Sequence, residues 1–231
     1  MSEIEPGAGL SFPTFHERSE KMTPLDLARV ELTEKIRELI RDSFVTNAGL
    51  DAVQKATNLV SLAVEQVRSN NRLPGEDASQ MVFLDRSPLM GAMNALSVPL
   101  VMTIEGTGDD RSITGRAVFT EPYEGPPGHV HGGYVAAGFD EVLGMAQSLS
   151  GRPGLTGNLS VTYRRPTPLF VELVYRGVCT EVVGRKIFTH GTLHHGDVLC
   201  AEATGLFLSM KPDVMARLFR DQQQGALTDP Q

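Results

Sequence analysis

Residues 125–141, GPPGHVHGGYVAAGFDE, run from a proline- and glycine-rich turn into a small-residue helix pattern that carries Asp140 and Glu141 side by side. Gly132 and Gly133 fall in the first turn of that helix, where backbone N–H groups have no intrahelical acceptor and the helix dipole is positive. Such a turn can receive a developing negative oxygen, for example the oxyanion of a tetrahedral intermediate. Asp140 lies eight residues after Gly132, about 12 Å along the axis at 1.5 Å per residue. A carbonyl held at the helix start is therefore beyond reach of the same chain's Asp140. If both groups serve one reaction, the acid comes from a second chain running antiparallel, at a twofold interface with two sites per dimer. Neighbouring side chains on a helix point about 100° apart, so Asp140 and Glu141 do not form a carboxylate dyad. One faces the site, and the other makes a structural bond or faces solvent.

Each of these residues also has a plainer reading. Gly132-Gly133 can be no more than a turn opening a helix, Asp140 a solvated or salt-bridged acid, and His131 a capping or core histidine. His129, His131, His190, His194 and His195 invite the idea of a metal, but no His-x-x-x-His helix pair or cysteine cluster accompanies them, and no metal is expected. Arg164-Arg165 and Arg185-Lys186 read first as solvated faces, and they are also the best candidates for phosphate contacts.

The chain has 231 residues, 41% apolar and 21% charged, ordinary globular chemistry for one good-sized domain with an extension. A formal charge of −7 argues against nucleic acid as a partner. Cys179 and Cys200 sit in apolar alternating segments and read as buried free thiols of a reducing compartment. The opening residues lack the apolar core of a secretory signal and carry too many acids for a transit peptide. Residues 87–104, SPLMGAMNALSVPLVMTI, are uncharged, yet Pro88, Asn94, Ser97 and Pro99 make them a poor membrane span. A cytoplasmic protein without a membrane span is expected.

Elements to position the site follow from periodicity. Residues 1–22 show none and are expected to be a mobile tail. Thr23 reads as an N-cap with Pro24 at the first helical position and Asp26 in the first turn, which predicts a helix over 24–42. A second amphipathic helix follows Asn47-Ala48-Gly49, and NNRLPGED at 70–77 ends it as a linker. Both helices need something to lie against. From about residue 98, PLVMTIE and SITGRAVFT form a hairpin-like pair. The central helix follows to about Ser150, and then four strands read as a meander, the first with Leu159, Val161 and Tyr163 on one face. This is an α+β layer fold, an antiparallel sheet around a single helix.

Five blocks in order, EGPPGHVHGG (124–133), FDE (139–141), TGNLSVTYRRPTPL (156–169), GRKIF (184–188) and AEATGLF (201–207), resemble the hotdog-fold acyl-CoA thioesterases of the PaaI-like branch, in the pattern of the animal thioesterase superfamily members four and five. The resemblance covers about residues 98–210 and leaves out the N-terminal helices. It implies a hotdog domain over 78–211, preceded by a tail (1–22) and a helical extension with linker (23–77), and followed by a short helix and tail (212–231). It implies hydrolysis of acyl-CoA to fatty acid and CoA without a further cofactor, by a homodimer or dimer of dimers. Gly132 then polarises the thioester carbonyl after His131, Gly133 supports the turn, Asp140 is general base or nucleophile, and Thr156 helps place the water. Glu141, Asn158, Arg164, Arg165, Arg185 and Lys186 are candidate substrate contacts. Where some relatives carry Asn this chain has Gly125, so the resemblance is to the EGPPG form. The alternative is a non-catalytic acyl-CoA binding protein using the same pocket.

Overall fold

The computed structural model describes residues 21–69, 85, 87–98, 100–152 and 154–209. Nearly all of the expected N-terminal tail, the linker at 70–77 and the closing helix and tail at 212–231 lie outside the described residues.

The first helix, α1 (Pro24–Val45), begins on a capping box. Thr23 Oγ1 accepts from Asp26 N at 3.2 Å, and Asp26 Oδ2 accepts from Thr23 N at 3.0 Å. The second helix, α2 (Leu50–Arg68), starts at Gly49 without a side-chain cap and buries none of its residues. The two helices flank an open cleft of ≈ 610 Å³. The domain makes contact with α1, where Thr33 is buried and the helix lies against the short turn at 121–123.

The sheet has six antiparallel strands: β1 (Val101–Glu105), β2 (Ser112–Val118), β3 (Gly154–Tyr163), β4 (Glu172–Val183), β5 (Lys186–His195) and β6 (Val198–Ser209). Their spatial order is β1-β2-β4-β5-β6-β3. This corrects the expected four-strand meander: β4, β5 and β6 do meander, but β3 pairs with β6 at the far edge and β4 pairs with β2. The cause is the Pro166–Pro168 segment, which cannot continue the β3 ladder and carries the chain back across the sheet. It is stitched to the turn before the central helix, with Val130 N donating to Thr167 O at 2.8 Å and Leu169 N to Gly128 O at 3.1 Å.

The central helix, α3 (Gly132–Ser148), lies on the inner face of the sheet, with Val135, Phe139, Val142, Leu143 and Ala146 fully or almost fully buried. Close approach needs small residues on both sides. A Cβ at Gly138 would fall 2.5 Å from the Tyr175 ring, and one at Gly177 would fall 2.8 Å from Val142 Cγ1. These glycines let the helix settle onto the strands, and Tyr175 is wholly enclosed beneath it. Cys179 and Cys200 are free thiols, and burial pushes both up from the ordinary thiol range. Among the described residues no helix is long and apolar enough to cross a membrane.

Candidate active site

His131 is the N-cap of α3, and its Nδ1 accepts from Gly133 N at 3.0 Å. The ring therefore carries no proton on Nδ1. Tyr134 N and Val135 N both donate to His131 O, at 2.9 and 3.3 Å. One first-turn donor is left, the Gly132 N–H, which has no acceptor among the described residues. Its carbonyl is held from the other side, since Tyr163 Oη donates to Gly132 O at 2.8 Å. A Cβ at position 132 would sit 3.3 Å from Tyr163 Oη, a tight contact that the exposed tyrosine can ease by a small shift. Gly125 is fixed by the same turn. A Cβ at that position would lie 2.7 Å from His131 Cα, so the backbone leaves no room for a side chain there.

At the other pole, Asp140 is exposed and Thr156 Oγ1 donates to its Oδ1 at 2.9 Å. A simple two-residue alternation along β3 would send Thr156 to the outer face with Asn158, away from α3. A bulge prevents this. Thr156 pairs with Phe207 and Asn158 with Leu206, so Gly157 is an extra residue with no partner. Beyond it the alternation is reset, and Thr156 joins Leu159, Val161 and Tyr163 on the helix-facing side. Asn158 remains exposed on the opposite face, away from Asp140. The edge strand thus touches both poles of α3, with Tyr163 at Gly132 and Thr156 at Asp140.

Glu141 is turned away from that pair. It is half-buried and accepts from Ser87 Oγ at 3.0 Å. Burial pushes its carboxyl above the ordinary value of 4.5, the Ser87 hydrogen bond lowers it, and the neighbouring Asp140 charge raises it. Ser87 is buried and its Oγ also accepts from the backbone of Leu89 and Met90, at 3.3 and 3.2 Å.

An open depression of ≈ 480 Å³ runs along this side of α3, lined by Pro88, Leu89, Leu96, Tyr134 and Ala137 together with His131, Gly133, Asp140 and Glu141. The depression runs past the helix start to Asp140 and is apolar along its wall and polar along the helix.

The two basic pairs are far apart. Arg164 and Arg165 both donate backbone N–H to Cys200 O, whereas Arg185 Nε donates to Ser209 O at 3.1 Å. Nine residues of β6 separate those anchors, about 30 Å at 3.3–3.4 Å per residue. Arg164 is spent on Glu202, with Nε to Oε1 at 2.9 Å. Arg165 and Lys186 are exposed and make no side-chain hydrogen bond among the described residues. The Arg164–Arg165 pair follows Tyr163 and so lies at the Gly132 end. Lys186 pairs with Leu208, next to Phe207 and Thr156, and so lies at the Asp140 end. His190, His194 and His195 lie on β5, and among the described residues no three His, Cys, Asp or Glu side chains could hold a metal together.

Sequence reasoning assigned no role to Tyr163, Gly157 or Ser87. A tyrosine ending the inward row Leu159-Val161-Tyr163 was a readable signal, and so was a glycine inside a strand, the usual mark of a bulge. Nothing local pointed to Ser87.

Comparison with known proteins agrees with this architecture. The family model described as "Thioesterase superfamily" matches residues 127–202. Acyl-coenzyme A thioesterase THEM4 of Mus musculus is 36% identical over 92 residues, 39% of this chain and 40% of that protein. The Bos taurus THEM4 is 37% identical over 95 residues, 40% of this chain and 39% of that protein. The aligned part thus spans about two fifths of the length of these curated relatives. A crystal structure of a thioesterase superfamily protein superposes with a TM-score of 0.65 at 35% identity, over 78% of this chain and 94% of that one. That share exceeds what lies beyond residue 97, so the likeness takes in part of the N-terminal region as well. The hotdog layering of sheet and helix, the family match around the His131–Asp140 helix and the near-complete coverage of a solved relative lead to one conclusion: this chain belongs to the thioesterase superfamily.

Proposed function

We propose that the chain hydrolyses acyl-CoA thioesters to a carboxylic acid and CoA, at a site shared between two subunits. The observation that carries the reading is the pairing of Asp140 with Thr156 on the same helix face whose first turn leaves the Gly132 amide free. Thr156 donates to Oδ1, which leaves Oδ2 to accept a proton from water. The water oxygen attacks the thioester carbon, and the carbonyl oxygen takes up negative charge against the Gly132 N–H. Collapse breaks the C–S bond, and the proton held by Asp140 passes to the leaving thiolate. His131 holds the turn by capping it, and Tyr163 fixes the Gly132 peptide from behind.

The distance between the poles supports a dimer. β3 is an edge strand, and two copies paired antiparallel about a twofold near Ser160 bring the Thr156 end of one beside the Tyr163 end of the other. The Arg164–Arg165 pair of one chain and the Arg185–Lys186 pair of its partner then flank the same site, where CoA phosphates would need them. The reaction needs no cofactor beyond the CoA of the substrate. Two unpaired cysteines suit a reducing compartment, and we place the protein in the cytoplasm.

The test is thiol release from a panel of acyl-CoA esters by wild type and Asp140→Asn, with assembly state measured alongside. Loss of a positioned base costs about 10²–10⁴ in rate, so Asp140→Asn should lose at least about a hundredfold in kcat while keeping its mass in solution. A fully active Asp140→Asn protein would remove that residue from the mechanism.

A further inference from the structure

We propose that Arg37 of α1 sets the acyl-chain preference by pinning the loop at 87–98 against the depression. The inference rests on the acyl-CoA reading above, and it assigns a role to the N-terminal helix that the catalytic helix alone does not require.

Arg37 reaches from α1 into the mouth of that loop. Its Nη2 lies 2.9 Å from Gly91 O, 3.3 Å from Ala92 O, 3.0 Å from Asn94 O and 3.0 Å from Ser97 Oγ. One nitrogen carries two protons, so four oxygens share them, and the converging oxygens form a negative pocket that a cation fills. The Nε atom is buried and has no partner among the described residues. A solvated surface arginine would show neither feature.

The loop itself is tightly wound. Gly91 N donates to Ser87 O at 3.0 Å, Met93 N to Asp85 O at 2.8 Å, and Ser97 Oγ to Gly91 O at 2.7 Å. A Cβ at Gly91 would come within 2.5 Å of Asp85 O, so the winding depends on glycine there. The loop contains no helix or strand of its own, and its carbonyls lie where Arg37 holds them. Its other side supplies the apolar wall of the depression, with Pro88, Leu89 and Leu96 facing the space beside Asp140. The same loop starts at Ser87, which holds Glu141. Leu96 is 71% exposed, a large side chain left open to whatever enters. A short acyl group sits near the reacting carbonyl and has no need of this wall. A long one lies along it. Arg37 is thus a positioning residue that acts on substrate through the loop.

The experiment uses the full chain and non-hydrolysable S-alkyl-CoA thioethers of four to sixteen carbons. Dissociation constants are compared between wild type, Arg37→Met, Arg37→Lys and Leu96→Ala, together with hydrogen exchange of the 91–97 amides. With the pin lost, Arg37→Met should speed exchange in 91–97 and weaken binding of the twelve-carbon ligand about tenfold, with the four-carbon ligand within about twofold. Arg37→Lys, one ammonium in place of the fork, should fall between. Leu96→Ala should weaken the long ligands without freeing the loop, so the proposal remains open to refutation if Arg37→Met does not fold. Faster exchange with an unchanged chain-length profile overturns the proposal, because the pin would then be structural only. So does a changed profile without faster exchange, or a Leu96→Ala profile identical to wild type. A wild type that binds the ligands but cleaves no acyl-CoA defeats the hydrolase reading and leaves this one to the binding panel. One that binds none of them defeats both.

Discussion

A shared site can be tested by building a dimer in which each subunit lacks a different half. Two changes remove the poles with little disturbance to the fold. Asp140→Ala takes away an exposed carboxylate. Gly132→Pro takes away the free N–H, and position 132 suits proline for three reasons. It is the first residue of α3, where proline is favoured and its fixed φ is helical. His131 before it has φ −60 and ψ 132, the extended geometry that a residue preceding proline adopts. Finally, the only close contact for a new Cβ is Tyr163, with Oη at 3.3 Å on an exposed side chain.

The magnitudes follow from the roles. Loss of one oxyanion donor costs about 10²–10³ in kcat, and loss of the base costs about 10²–10⁴, so each homodimer should keep about 1% of wild-type turnover or less. In a hybrid of the two variants, one site collects both defects and the other collects none. Hybrids isolated through a different affinity tag on each chain should therefore show about half of wild-type turnover per dimer, some fiftyfold above either parent. The reach of the groups gives this weight. Eight residues of helix separate the poles by about 12 Å, and the Gly132 N–H points away from Asp140, so the carbonyl it binds lies farther off still. A reacting water must stand about 3–3.5 Å from that carbonyl, and the side chain of Asp140 does not close the gap. Hybrids no more active than their parents, with mixed dimers verified by mass, would show that each chain completes its own site and would refute the argument.

Three further outcomes are expected. Thr156→Val should lower kcat about tenfold through loss of one hydrogen bond to a charged group, with KM unchanged. Deletion of Gly157 should keep kcat within about twofold of wild type, because Thr156 then directly precedes the outward Asn158 in an unbroken ladder and regular alternation still turns it toward α3; a loss as large as that of Thr156→Val would mean that the bulge itself sets the position of the hydroxyl. Glu141 supplies a pH signature. Burial raises its folded-state carboxyl above 4.5, so the folded chain binds the proton more tightly than the unfolded chain. Its contribution is therefore fully present below about pH 4.5 and is lost as pH rises through the folded value. Glu141→Gln, which keeps an acceptor for Ser87, should melt above wild type at pH 7 and converge with it near pH 4. A difference that instead grows on acidification would refute the assignment.

What the sequence made legible was local. Thr23-Pro24-Asp26 is a self-contained instruction, and the N-cap forms at Thr23 as read, with the reciprocal Asp26 bond completing a capping box. The strand and helix bodies follow their periods closely. The proximity of Thr156 to Asp140 was reachable only through the resemblance, since period-two reasoning points Thr156 the wrong way, and the bulge that corrects it depends on how β3 pairs with β6. The placement of β3 at the far edge was missed for a related reason. Chain order favours neighbours, and the crossover is decided by two prolines and by contacts to the turn at 128–130. Arg37 was invisible because its partners are backbone carbonyls, which every sequence contains; only folding gathers them.

The form of β3 is itself an argument for where the second subunit binds. A ten-residue edge strand exposes a row of unpaired backbone groups that invites pairing with another chain, and edges are commonly blunted with Lys, Pro or inward charges. β3, GLTGNLSVTY, contains no charged residue and no proline, and Leu155 and Tyr163 are 52% and 53% exposed along it. Such an edge is poorly defended if it faces water and well suited if it faces a copy of itself. The strand that most needs covering is also the strand that holds Thr156 on Asp140 and Tyr163 on Gly132. Antiparallel self-pairing would therefore satisfy the edge and bring opposite poles together in one step, so that assembly and the completion of the site are the same event. On this view a charge placed at an outward position of β3, such as Ser160→Lys, costs activity by preventing the encounter, and high protein concentration restores it.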